Sequence, residues 1–123
     1  MSKNLSFSFG EITIHSCYMV VVMNEGITVT PQLNSVLEDL VETYYKNTNL
    51  VYITYRINSY SVDPKVYIKT AQISNVLGIA VVNGNESRLD NTDIEQMFYK
   101  KPFRTFDSLD NAVDWAKELC SIQ

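Results

Sequence analysis

Residues that mark chemistry or break structure are scarce in this chain: two cysteines, one histidine, four glycines and three prolines among 123 residues. Cys17 and Cys120 lie at opposite ends of the sequence, with neither CxxC spacing nor a Cys/His cluster. That leaves zinc binding and thioredoxin-like exchange without support, and two reduced, buried thiols are the expectation. His15 stands alone, with no Ser, Cys or carboxylate partner at motif spacing, so neither a hydrolytic triad nor a metal site can be built on it. Its place beside Ser16 reads as a turn. The glycines form no phosphate-cradling loop, since Asn83-Gly84-Asn85 carries only one. Asp90, Asp93 and Glu95 lack the spacing of a calcium loop and read as acids favoured at a helix N-terminus. No cofactor is expected.

Positive charge is also short. Ten basic against fourteen acidic residues give a net charge of −4, which argues against nucleic acid and against an anionic membrane surface as partners. The one basic cluster, Lys100-Lys101 with Arg104, is brief and suits a solvated helix end. The longest strongly apolar run, Tyr18 to Met23, falls far below the roughly twenty residues of a membrane-spanning helix. The first residues alternate rather than forming the apolar core of a secretory signal. A soluble, cytoplasmic protein without a transmembrane segment is expected.

What is present is ordinary globular material. With 46% hydrophobic and 20% charged residues the chain can build a core, and its length suits one domain over residues 1–123. Phe7, Phe9, Ile12 and Ile14 alternate with polar residues, slipping once at Gly10-Glu11, where a bulge or bend is expected. Tyr18–Met23 follows as a second strand, completing an antiparallel hairpin. Thr30-Pro31 then opens a helix, because Thr caps well and Pro is tolerated at the first helical position. Leu33, Val36, Leu37, Leu40, Val41 and Tyr44 form its apolar stripe.

Strand Leu50–Asn58 places Val51, Ile53, Tyr55 and Ile57 on one face and Tyr52, Thr54 and Arg56 on the other. It runs into the hydroxyl-rich Asn58-Ser59-Tyr60-Ser61, which Asp63-Pro64 turns into a short helix ending near Gln72. Val76–Val82, apolar on both faces, reads as a central parallel strand. Thr92-Asp-Ile-Glu95 has the form of a capping box for a helix carrying Met97 and Phe98, stopped by Pro102. Phe103–Phe106 is a short strand, and Ser108 caps a final helix through about Ser121. Strands alternating with helices predict an α/β fold: a mixed, mainly parallel sheet of four to five strands, an N-terminal antiparallel hairpin and about four helices.

This order resembles the STAS domain (sulfate transporter and anti-sigma-factor antagonist) and its relatives. The ending Phe106-Asp-Ser-Leu-Asp-Asn-Ala112-Val-Asp-Trp115 is similar to that of the stand-alone STAS-like proteins of bacteria. The resemblance implies a STAS-like fold and a binding or regulatory role. In regulatory members a Ser or Thr between the middle strand and the next helix is phosphorylated, which by topology falls within Asn58–Asp63 here. The Asp-Ser-Ser/Thr-Gly motif of those members is missing, and no Gly follows the serines.

The candidate surface is therefore Arg56, Asn58, Ser59, Tyr60, Ser61 and Tyr67, with Asn83 at the neighbouring strand end. Ser59 and Ser61 are candidate phosphoacceptors, or with Asp63 they cap and turn the backbone. Arg56 could clamp a carboxylate or phosphate, or pair with an acid of the chain. Tyr52, Tyr55, Tyr60 and Tyr67 offer apolar area with polar tips, for a partner or a flat ligand, although strand propensity alone accounts for Tyr52 and Tyr55. A non-catalytic binding module for a protein partner is expected. The alternative is a carrier of a small amphipathic or lipid-like ligand, with Thr92–Lys100 as a mobile wall. A second copy of the chain is a further partner to consider.

Overall fold

A computed structural model describes residues 2–58, 60–83, 99 and 101–122. In chain order these form β1 (Lys3–Phe7), β2 (Gly10–Ile14), β3 (Tyr18–Met23), β4 (Thr28–Val29), α1 (Pro31–Tyr44), β5 (Leu50–Arg56), β6 (Ser61–Val62), α2 (Lys65–Ala71), β7 (Val76–Asn83), β8 (Phe103–Phe106) and α3 (Leu109–Ile122). Six strands make one mixed sheet in the order β1-β2-β3-β5-β7-β8; β4 and β6 pair separately as a two-stranded parallel ribbon. No helix among the described residues is long and apolar enough to cross a membrane.

The sheet is larger than the four to five strands expected. The opening is a three-stranded antiparallel meander, and the slip at Gly10-Glu11 is the end of a turn between two strands rather than a bulge in one. Gly10 pairs with Phe7 on one side and Met23 on the other, and a side chain there would strike the Val22 carbonyl oxygen. Only glycine lets the chain reverse that close to its neighbour. Three helices, not four, lie among the described residues. The expected helix Thr92–Lys100, with Met97 and Phe98, lies outside them apart from Tyr99, as does the Gly84-Asn85 corner.

β3, β5, β7 and β8 run parallel; β7 is apolar on both faces, and β5 is covered on both, with Tyr52, Thr54 and Arg56 on one of them. One face, with Ile12, Met19, Val21 and Met23, is covered by Leu37, Val41 and Tyr45 from α1 and its end, and by Val66 of α2. The other, with Val20, Val51, Ile53, Ala80 and Val82, is covered by α3 through Ala112 and Ala116. The meander's far edge on that second face carries Asn4, Ser6, Glu11 and Thr13, where Thr13 Oγ1 donates to Asn4 Oδ1 at 2.7 Å. Polar residues there demand no covering helix.

Local signals behave as their chemistry dictates. Thr30 Oγ1 accepts the Leu33 amide at 3.2 Å, and Pro31 occupies the first turn of α1. Ser108 Oγ accepts the Asn111 amide at 3.2 Å to start α3. Asn34, buried on α1, donates to Glu38 Oε2 at 3.2 Å and reaches Thr70 Oγ1 of α2 at 3.5 Å, linking the two helices.

Tyr45, just past α1, is 1% exposed. Its hydroxyl accepts the His15 amide at 3.2 Å and shares its proton between the His15 and Tyr18 carbonyls at 2.8 and 2.7 Å. Its own carbonyl accepts Asn75 Nδ2 at 2.8 Å. One side chain thus fixes the β2–β3 turn, where His15 sits as expected and stacks on Tyr18 at 4.3 Å between ring centroids. Burial pushes the Tyr45 hydroxyl's pKa far up, so it remains a donor at any physiological pH. Tyr45→Phe removes that donor and leaves buried carbonyls short of a partner. The expected loss is about 1–2 kcal/mol in urea unfolding with an unchanged m-value; an unaltered midpoint would show that the hydroxyl does not hold the turn.

Candidate functional site

The parallel register of β5 on β7 sets Arg56 opposite Asn83, so both strands end side by side at the carboxyl pole of the sheet. In open α/β sheets that pole is where ligands and partners are usually met. The segment that leaves β5 does not open into solvent as a free loop. It folds back as β6 beside β4, with Thr28 opposite Ser61 and Val29 opposite Val62. Ser61 N–H donates to the Ile27 carbonyl and Asp63 N–H to the Val29 carbonyl, each at 2.9 Å. Asn58 Nδ2 donates to the Met23 carbonyl at 2.9 Å, fastening the start of the segment to the end of β3.

Under this ribbon the predicted side chains converge. Tyr60 turns inward, its hydroxyl 2.5 Å from Thr54 Oγ1 and its ring 5.4 Å from the Arg56 guanidinium carbon. A guanidinium over a tyrosine face is a favourable cation–π arrangement. Arg56 Nη2 also donates to the Tyr67 hydroxyl at 3.4 Å. Tyr67 itself is only 4% exposed, and its ring meets Tyr99 and Phe103 edge-on at 6.4 and 6.0 Å. Its ring therefore serves the core, and only its hydroxyl reaches the site. Tyr52 lies deeper, and desolvation, aided by Tyr60, raises its pKa while Arg56 acts the other way.

Asp63 behaves as a cap: its Oδ1 accepts the Lys65 amide at 3.1 Å at the start of α2. Ser61 is exposed on β6, while Ser59 lies outside the described residues. Arg56, Asn58, Tyr60, Tyr67 and Asn83 are thus gathered at one pole. The space beneath the ribbon, bounded by Tyr52, Thr54, Arg56, Tyr60 and Tyr67, is nearly filled, at about 10 Å³. That is about the room of one water. Among the described residues no group of three His, Cys, Asp or Glu side chains is placed to hold a metal.

Two features escaped the sequence. The β4–β6 ribbon is two residues per strand, too short for any periodicity to show. An open groove of about 460 Å³ lies between the ends of α1 and α2, lined by Glu38, Glu42, Lys46 and Lys69 with Val41 and Ile73 at its floor. The only sequence trace of it is the Glu38/Glu42 pair, which reads as a solvated helix face.

No family model matches the sequence, and no curated protein does. A solved structure of an uncharacterized protein from the DUF3478 family with a SpoIIAA-like fold, from Shewanella loihica PV-4, is similar over 94% of this chain and 92% of that one. The TM-score is 0.56 and the identity 12%. The chain therefore has a SpoIIAA-like, that is STAS-like, fold, as its terminal motif and element order implied. At that identity the likeness is one of fold and carries no activity across.

The ribbon depends on Tyr60. Tyr60→Ala removes a hydroxyl contact and a ring lying over Arg56, a local loss of about 1–3 kcal/mol. Amide exchange at Ser61 and Asp63 is expected to quicken about tenfold to a hundredfold while the β5 amides keep their protection. Equal acceleration in β5 would mean that Tyr60 supports the whole sheet instead.

Proposed function

We propose that the chain is a non-catalytic binding or regulatory module that acts through the Arg56–Asp63 segment in protein–protein interaction. The observation that carries this is the surface this stretch presents. The described residues expose three large apolar side chains, and two of them are Ile57 at 42%, within the segment, and Ile68 at 47%, five residues beyond it. Exposed apolar side chains beside an arginine and tyrosines match the composition favoured at partner interfaces. The fold is that of a SpoIIAA-like domain, a class in which binding of this kind is at home.

The carrier reading needs an enclosed apolar volume of several hundred cubic ångströms for a drug-sized or lipid-like guest. Among the described residues the space under the ribbon is far smaller, and the exposed isoleucines support the partner reading. Ser61, exposed on β6, is positioned for a kinase to reach, and a phosphate there would add negative charge to the same face.

Ile57→Asp and Ile68→Asp test the assignment without touching the core. Used as bait in an extract of the source cell, the wild-type chain is expected to retain a protein that both variants retain at least about tenfold less. Their thermal midpoints should stay within a few degrees of the wild type's. Undiminished capture by both variants contradicts the assignment. A small molecule released on denaturation of the purified protein, seen by native mass spectrometry, would instead establish the carrier.

A further inference from the structure

The two cysteines, 103 residues apart, meet in space. Cys17 lies in the β2–β3 turn that Tyr45 fixes, and Cys120 lies near the end of α3. Because α3 runs along β3, β5 and β7, its last turns arrive at the pole opposite the Arg56 site. There the Cys120 thiol donates to the Cys17 carbonyl oxygen at 3.3 Å and lies 3.9 Å from the Asn49 carbonyl. The Cys120 sulfur thus lies against the backbone of Cys17. Of the expected two reduced, buried thiols, both are free as expected, but both are partly exposed rather than buried, and they are neighbours.

We propose that Cys17 and Cys120 form a redox pair, which a peroxide converts to an intramolecular disulfide clamping the end of α3 to the β2–β3 turn. Burial, with help from the Cys17 contact, pushes the Cys120 thiol up to about 12. In the proposed sequence Cys17, in the turn, meets the oxidant and Cys120 acts second. The Cys17 thiolate attacks one peroxide oxygen, the O–O bond breaks, and one water leaves with the proton Cys17 gave up. That step yields a sulfenic acid on Cys17. The Cys120 sulfur then attacks the Cys17 sulfur, the S–O bond breaks, and the departing hydroxide takes the Cys120 proton as a second water. Hydrogen peroxide is reduced to two waters and two thiols are oxidised to one disulfide.

A bridge across so many residues restricts the unfolded chain strongly, provided the native geometry takes it without strain. The 3.3 Å approach of the Cys120 sulfur to the Cys17 carbonyl oxygen sets the two residues side by side; the bridge itself needs their β-carbons about 3.5–4.5 Å apart. The clamp is independent of the binding role assigned above and lies at the other end of the sheet.

The test treats the purified, reduced full-length chain with hydrogen peroxide and reads intact mass, non-reduced peptides and the thermal midpoint. The expected result is a monomer lighter by two hydrogens, with the Cys17 and Cys120 peptides linked. The midpoint should rise by about 10–20 °C, reversibly with dithiothreitol. Cys120→Ser should gain oxygen on Cys17 or pair between chains, with no such rise. An unchanged wild-type mass, oxygen gained without loss of hydrogen, or a link between two chains overturns the pair. A bridge with no rise in midpoint overturns the clamp.

Discussion

The burial of β5 and β7 on both faces is the constraint on which the other features depend. A one-residue slip sends every side chain of such a strand to the opposite face, where it no longer fits the close-packed neighbours there. β5 therefore has one register on β3 and one on β7, and that register decides what stands at each pole. At the carboxyl pole it sets Arg56 beside Asn83. At the amino pole it brings Leu50 and Val51 level with Val76 and the Cys17 turn, where the Val51 amide donates to the Cys17 carbonyl at 3.0 Å. The Arg56–Asp63 segment and the two cysteines stand at the two ends of one aligned core.

Each pole is then closed by side chains that come from far along the chain. At the amino pole Tyr45 fixes the β2–β3 turn, and Asn75 ties the α1 end to β7. Lys101 Nζ adds bonds to the Ile73 and Val76 carbonyls at 2.7 and 2.8 Å. Burial lowers its pKa, and two charge-assisted bonds offset that desolvation. At the carboxyl pole the β4–β6 ribbon covers Tyr60 and Arg56. Among the described residues the result is a filled, hydrogen-bonded pole.

Much of this was legible in the residues, for physical reasons. The α1 stripe, the Thr30 and Ser108 caps and the apolar Val76–Val82 run are local signals, and local signals predict local structure. The terminal motif and the element order pointed to the STAS-like fold that the SpoIIAA-like neighbour shares. The meander was misread as a hairpin because Phe7 and Phe9 keep the alternation through the turn; Phe9 packs on Phe7 at 5.0 Å although it lies between strands. The ribbon joins Thr28 to Ser61, and the thiols join residue 17 to residue 120. Neither pairing leaves a periodic trace, since both follow from where the sheet register delivers the chain. The candidate side chains Arg56, Asn58, Tyr60, Tyr67 and Asn83 lie at one pole, where Tyr67 is a core ring and Asn58 a tether.

The most direct test of the central claim is hydrogen–deuterium exchange of the chain alone and in complex with the partner it captures. The account predicts added protection in residues 56–68, with α3 and the Lys3–Phe7 edge unchanged. Protection confined to α3 or to that edge strand, with 56–68 exchanging as in the free protein, would contradict it.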